Sequence, residues 1–412
     1  MQLKILMLGW EFPPYSWGGL GTACYGLIKG FSKTDIKINL ILPYKHKTNI
    51  KNCSISCAKT DLVKFNKYKN NQLKQKIYNN LYTNLSKKIT YYAKSCSLLA
   101  KQKKFDLIHA HDWLTFKAAI KLKKQTRKPL IVHIHSTEFD RKGEKNIKKE
   151  IFNIEKKGME YADKIITVSL FEKKRIIKYY KINPNKIEVV HNAIVINKKH
   201  SKKETIENLS PLKKIQKISE KQSKIILFLG RLTFQKGPEF FIKSAKKILK
   251  QKKNVHFVIA GDGDMKNKLK KLSNKLGLNK NITFTGFLKK DKVNWILKKS
   301  DIYVMTSIYE PFGIAPLEAM INKTSVIISK NAGVGEIIKN CIKVDYNDTQ
   351  KISKETIKLL NNETLYKKII EKGQAEANKI NWSTAAEKCK NIYKNLLNTN
   401  LICIRKERQI NV

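Results

Sequence analysis

Four charged residues stand out by type and spacing. In "YEPFGIAPLEAM", Tyr309 to Met320, Glu310 and Glu318 flank a Pro-Phe-Gly turn. In "GRLTFQKG", Gly230 to Gly237, Arg231 and Lys236 share one short loop between glycines. Arginine presents a planar fork to phosphate oxygens and lysine adds a point charge, so this loop suits a diphosphate. A solvated surface lysine is the plain alternative for Lys236. It is a poor account of Arg231, the only arginine between Arg175 and Arg405. Glu318 falls in the first turn of a helical pattern, where the dipole favours a carboxylate, so capping would explain it. Glu310 precedes the loop and has no such role. Pro311, Gly313 and Pro316 shape the loop, and the N–H groups of Gly313, Ile314, Ala315 and Leu317 face out of the helix's positive end.

Histidines form a second constellation. "HAHDW" (109–113) and "HIHSTEFDR" (133–141) each carry two histidines two apart, hence on one face of a strand. Metal binding is one reading of these pairs. His135, closing its strand, is the better candidate for chemistry. "WGGLGT" (17–22) follows the first apolar run and precedes a helical pattern. Gly18 and Gly19 there let main-chain N–H groups approach an anion, or simply make a tight turn. The stretch is not G-x-G-x-x-G, and no acid ends the second strand, which argues against NAD. "AGDGDM" (260–265) mimics a metal-diphosphate motif, but its position after a buried strand and before a helix gives its glycines to the turn. No metal site is predicted.

The elements that position these residues alternate. "LKILMLG", "IKINLIL", "DLIHAH", "PLIVHIH", "KIITVS" and "IEVVHN" read as buried parallel strands. Segments such as 73–103 between them are long enough for crossover helices. This is a doubly wound α/β domain, residues 1–196. A lysine-rich polar stretch, 197–223, reads as a linker or insertion. The rhythm restarts with "KIILFLG", "VHFVIAG", "NITFTG", "DIYVMTS", "TSVIIS" and "IKV", a second α/β domain over 224–378. The tail, 379–412, carries an amphipathic helix from Trp382 with Ser383 as its expected N-cap. Two Rossmann-like domains facing each other leave a cleft at the C-terminal strand ends, where a ligand is expected.

Composition bounds the function. The 412 residues are 42% hydrophobic, enough for two cores, and the net charge is +51. The excess is almost all lysine, spread along the chain, and reads as compositional bias more than as a patch. A basic binder of nucleic acid or acidic membrane is the rival of another class. The basic, tyrosine-bearing stretch 65–104 motivates it, against the plainer reading of a solvated helix. No apolar run reaches a membrane span, the first apolar run is too short for a signal core, and a cytoplasmic location is expected. Seven cysteines without a C-x-x-C pair predict neither a disulfide framework nor a zinc site.

Taken together, these motifs resemble retaining glycosyltransferases of the GT-B fold, in family 4 and the related glycogen and starch synthases. The resemblance is carried by G-G-L-G (18–21), "HAHDW", "HSTE", the G-R-x-x-x-x-K-G loop and E-x7-E within "EPFGIAPLEAM", in family order over residues 9 to 336. It implies a hexosyl transfer from glucose-type donors such as ADP-glucose or UDP-glucose, without a cofactor or metal. Arg231 and Lys236 would hold the diphosphate, Glu318 the ribose, and Glu310 the transferred sugar. Gly19 would bring an N–H to the phosphates, His135 would sit at the sugar, and Gly286 and Phe287 would meet the base. The implied partners are a nucleotide sugar and a glycan or other hydroxyl acceptor. No specific nucleic acid is implied, and peripheral contact with acidic membrane stays open through a lipid-linked acceptor. A non-hydrolysing epimerase of the same fold is disfavoured by the E-x7-E set. Asn192-Ala193-Ile194 and Gly333-Val334-Gly335-Glu336 depart from the family's N-G-V and G-G; they bear on the donor sugar rather than on the reaction class.

Overall fold

The computed structural model describes residues 2–14, 18–58, 84–195 and 210–410. The chain divides into two compact units. The first comprises Met1–Glu138, Ile147–Ala193 and Asn381–Val412, and the second Phe139–Asn146 and Ile194–Ile380.

Among the described residues, the first unit is built on a seven-stranded parallel sheet. Its strands are β1 (Lys4–Leu8), β2 (Lys37–Leu42), β3 (Cys53–Cys57), β4 (Leu107–His111), β5 (Leu130–Ile134), β6 (Lys164–Thr167) and β7 (Ile187–Val189). Their spatial order is β3-β2-β1-β4-β5-β6-β7. Order reverses between β1 and β4, the hallmark of a doubly wound sheet. Helices cover both faces of such a sheet, which is why β4 and β5 are buried at every position. β3, "CSISC", is a polar edge strand that apolar patterning does not reveal.

The helix Gly19–Phe31 packs against the C-terminal helix Trp382–Ile410. A Cβ on Gly26 would lie 2.1 Å from the Trp382 ring, and one on Gly30 would lie 2.2 Å from its carbonyl oxygen. Gly26 thus makes room for the indole, and Gly30, one turn on, for the main chain at Trp382 and the Cβ of Ala386. The N-cap of the C-terminal helix is Asn381, not Ser383: its Oδ1 accepts from the main-chain N–H of Ser383 at 3.1 Å and Thr384 at 3.2 Å.

Among the described residues, the second unit holds a six-stranded parallel sheet in the order β10-β9-β8-β11-β12-β13. These are β8 (Lys224–Leu229), β9 (Val255–Ala260), β10 (Ile282–Gly286), β11 (Ile302–Met305), β12 (Ser325–Ser329) and β13 (Ile342–Val344). The polar stretch expected to be a linker is in part a helix, Ser210–Glu220, while 197–209 lies outside the described residues. Leu212, Ile215 and Ile218 recur every three positions, and the first two are fully buried in this unit. Three apolar residues among lysines suffice for one packed stripe. No helix among the described residues is long and apolar enough to cross a membrane.

Candidate active site

In the second sheet the order reverses between β8 and β11, so a ligand is expected at the C-terminal ends of these two strands. β8 runs directly into Gly230 and Arg231, and β11 into Thr306, Ser307 and the loop of Glu310. The two sequence motifs, distant along the chain, meet because their strands are neighbours.

The contact is tight. Gly237 has φ +56, and a Cβ there would fall 2.3 Å from the Thr306 carbonyl oxygen, so the loop both turns and approaches as only glycine allows. The Thr306 hydroxyl donates to Gly237 O at 2.8 Å, and Ile308 N–H donates to Gln235 O at 2.9 Å. Thus clasped, Lys236 brings its Nζ to 2.5 Å from Glu310 Oε2. The Ser307 hydroxyl donates to the same oxygen at 2.9 Å. Lys236 is therefore an ion-paired, half-buried group and not a solvated surface lysine.

Glu310 is buried, and its main chain is pinned by the loop at 331–333. Its N–H donates to Asn331 O at 3.0 Å, and Gly333 N–H donates to its carbonyl at 2.9 Å. The departure at 333–336 from a double glycine thus lies directly behind Glu310. Arg231 is exposed, and its guanidinium has no ion pair or hydrogen bond among the described residues. Leu232, next to it, is fixed from the "DGD" stretch: its N–H donates to Asp262 O at 2.9 Å, and its carbonyl accepts from Met265 N–H at 3.0 Å. The Asp262 carboxylate caps Gly263 N–H at 2.9 Å and pairs with Lys266 at 3.1 Å. That stretch buttresses the arginine loop.

Glu318 sits in the first turn of the helix Ala315–Ile321, and its carboxylate pairs with Lys290. Gly313, at φ +96, makes the turn before it. Leu317 is fully buried, so its side chain belongs to the core and only its main chain is offered to a ligand. At the end of β10, Gly286 has open space where a Cβ would stand, and the Phe287 ring is 59% exposed.

In the first unit, Gly18 and Gly19 begin the helix Gly19–Phe31. Among the described residues a Cβ on either meets nothing within 4 Å, and Gly18 is extended at φ −174, so their packing does not demand glycine here. Trp17 lies outside the described residues. The two histidines of β4, His133 of β5 and His135 just beyond it form a stack. Cα register pairs His111 with His133, and ring centroids lie 4.5 Å apart for His109–His111 and 4.3 Å for His133–His135. His135 Nε2 is 2.9 Å from His111 Nδ1, and the Tyr393 hydroxyl is 2.6 Å from His109 Nδ1. Burial pushes the imidazole of His111 down to about 3 and holds His109, His133 and His135 well below the usual histidine range. Chemistry at His135 thus starts from a neutral ring.

Asp112 was not singled out by its sequence context. It adopts φ +56 and ψ 167, a strained conformation otherwise almost confined to glycine. Its Oδ1 accepts from His135 N–H at 2.7 Å, which fixes the end of β5.

The N-terminal part of the chain, residues 17–198, matches the model of Glycosyltransferase Family 4, and residues 211–376 match Glycosyl transferases group 1. The chain is 31% identical over 402 residues to an uncharacterized glycosyltransferase of Methanocaldococcus jannaschii, covering 95% of this chain and 98% of that protein. Among solved structures it resembles sucrose-phosphate synthase from Thermosynechococcus elongatus. There the TM-score is 0.74 and identity 17%, over 96% of this chain and 100% of that one. It also resembles the catalytic domain of starch synthase IV from Arabidopsis thaliana bound to ADP and acarbose. There the TM-score is 0.72 and identity 14%, over 97% and 100%.

Proposed function

The chain belongs to the family 4 glycosyltransferases of GT-B type, and on that premise we propose that it moves a hexose, glucose foremost, from a nucleotide-diphosphate sugar to a glycan hydroxyl with retention. The observation that carries this reading is the Lys236–Glu310 pair beside Arg231, unpartnered among the described residues, at the switch point of the second sheet. Transfer breaks the bond between the anomeric carbon and the β-phosphate oxygen. Negative charge grows on the departing diphosphate and positive charge on the ring. Arg231 and Lys236 meet the first, with Lys236 keeping two of its three donors after pairing with Glu310. Glu310 meets the hydroxyls or the charge of the ring, and neutral His135 a sugar hydroxyl.

The acceptor oxygen bonds to the anomeric carbon on the face the diphosphate leaves. Its proton passes to a phosphate oxygen, and nucleoside diphosphate is released. Glu318 and Lys290 hold the ribose, exposed Phe287 stacks on the base, and the open backbone at Gly18 and Gly19 meets the phosphates. These charges serve in place of a metal. The starch synthase neighbour, bound to ADP and acarbose, supports a glucan acceptor.

A second reading of the acceptor rests on the helix Leu85–Lys101. Tyr91 and Leu98 are 49% and 65% exposed, seven residues apart on one stripe with Lys94 and Lys101. A stripe of that kind suits an anionic lipid surface and a lipid-linked acceptor. The adjoining residues 65–83 lie outside the described residues.

The test is a donor screen with purified protein, reading nucleoside diphosphate release with glucan primer, with lipid-linked acceptor and with neither, in the presence and absence of EDTA. Release that needs the primer and survives EDTA is expected. No release with any common nucleotide sugar, beside tight salt-sensitive binding to RNA, would replace transfer with the basic-binder reading.

A further inference from the structure

We propose that the histidine stack of the first unit binds a divalent ion of the zinc class, with His109, His111 and His133 as its ligands. One nitrogen from each of these three rings lies within 4.8 Å of the other two. A tetrahedral ion with bonds of about 2.0–2.1 Å needs its ligand nitrogens about 3.4 Å apart. An imidazole binds an ion in its own plane, and the rings stand near-parallel at 4–29°, so all three must turn out of their stack to bring their nitrogens onto one ion. The strand geometry makes the cluster unavoidable: β4 places His109 and His111 on one face, and register sets His133 beside His111.

The hydrogen bonds point the same way. His109 uses Nδ1 toward the Tyr393 hydroxyl and His111 uses Nδ1 toward His135. Among the described residues Nε2 of both rings is then buried without a partner, as are both nitrogens of His133. A buried polar atom left unmatched costs about 1–3 kcal/mol, so several in one place demand an occupant. Imidazole ligands are typically fixed by a hydrogen bond on the ring nitrogen that faces away from the ion. Tyr393 and His135 stand in that place. The all-imidazole set selects zinc, copper or nickel over magnesium or calcium. A buried water is the competing occupant, since it too seeks polar partners.

The ligands all belong to the first unit, whereas Arg231, Lys236 and Glu310 belong to the second. The ion therefore adds nothing to the proposed handling of the diphosphate; His135, placed at the sugar by the transferase reading, meets the site only through His111, and a metal titration that reads no turnover tests the ion apart from that reading. Its effect would be structural. It would tie β4 to β5, with Tyr393 linking the C-terminal helix to the same point, and binding would add to folding stability.

The experiment takes the full chain, stripped with chelator during refolding, and titrates it with Co2+ and then Zn2+. Expected are one Co2+ per chain at micromolar or lower concentration, the intense visible bands of a four-coordinate site, displacement by Zn2+ and a rise in thermal midpoint. Tyr393→Phe keeps all three ligands and removes one supporting hydrogen bond, so it should weaken binding by about 10–100-fold. His133→Ala should abolish the bands, and His256→Ala, in the other unit, should leave them. Folded wild-type protein showing no bands and no midpoint shift would assign the stack to water and overturn the proposal. Bands of full strength and affinity in both Tyr393→Phe and His133→Ala would overturn it equally, by placing the ion elsewhere. Should His133→Ala fail to fold, the wild-type titration and Tyr393→Phe decide.

Discussion

Lys236 Nζ lies 2.5 Å from Glu310 Oε2, joining two loops that are 74 residues apart in sequence. The pair makes one functional unit of a cation suited to phosphate and an anion suited to a sugar. Groups that act as a unit lose function non-additively. Glu310→Gln and Lys236→Met should each lower turnover by about 10²- to 10³-fold, and the double variant should be little worse than either alone. Steady-state kinetics of the three variants, with circular dichroism to confirm folding, check this. Fully multiplicative losses would mean that the two groups work separately.

Arg231 should behave differently from Lys236 in stability. It is exposed and holds no partner among the described residues, so Arg231→Ala should leave the thermal midpoint unchanged. Its turnover should fall by roughly 10²- to 10³-fold. Arg231→Lys should not restore it, because the planar fork is lost. Near-normal turnover in Arg231→Ala would remove the diphosphate assignment.

Much of this was legible in the sequence, for a physical reason. Parallel strands buried on both faces leave uninterrupted apolar runs, so β1, β2 and β8 to β12 could be read directly. Arg231 and Glu310 were visible because each is an uneconomical choice for its surroundings. What escaped was whatever depends on pairing across the fold. "CSISC" becomes a strand only because β2 offers it an edge. Asp112 matters through the N–H of a residue on the neighbouring strand. Asn331 and Gly333 matter only as the backing of Glu310. The two histidine pairs were visible as pairs, but their union needs the β4–β5 register, and Tyr393 joins them from the far end of the chain.

The room that Gly26 leaves for Trp382 predicts a stability effect remote from the site. Gly26→Ala would force a Cβ to 2.1 Å from the Trp382 ring. Overpacking of this kind costs about 1–3 kcal/mol. Trp382→Ala removes the indole and should cost about 3–5 kcal/mol. The double variant should be less unstable than the sum, since the clash vanishes with the ring. Urea unfolding of all three measures it.

His256 gives a pH prediction for the second unit. Burial, aided by the charge of Lys214, lowers its imidazole to about 4, and its Nε2 lies 2.8 Å from the Thr283 hydroxyl. The folded state keeps it neutral while the unfolded chain takes up a proton near pH 6.5. Stability is therefore full above 6.5 and falls as pH drops toward 4, by up to about 1.4 kcal/mol per pH unit from this group. In His256→Gln the loss between pH 7 and pH 5 should be smaller than in wild type by about 1–2 kcal/mol. Equal pH slopes in the two proteins would show that the ring is not the source.

Glu318 separates binding from chemistry. Unlike Glu310, it lies in the first turn of a helix and pairs with a lysine from the neighbouring helix, Lys290. A group that holds the ribose does so before and during transfer alike. Its loss therefore removes uniform binding, which raises KM and spares kcat. Glu318→Gln should raise the donor KM by about tenfold with turnover within a few-fold of wild type. The lost carboxylate near the helix N-terminus should also cost a few tenths to about 1 kcal/mol of stability. Lys290→Gln, which leaves Glu318 without its counter-charge, should raise KM in the same direction by loosening the carboxylate's position. Initial rates over a range of donor concentrations distinguish the two effects. A fall in kcat at unchanged KM would move Glu318 from the ribose to the reacting sugar, and Glu310 and Glu318 would then have to share the ring.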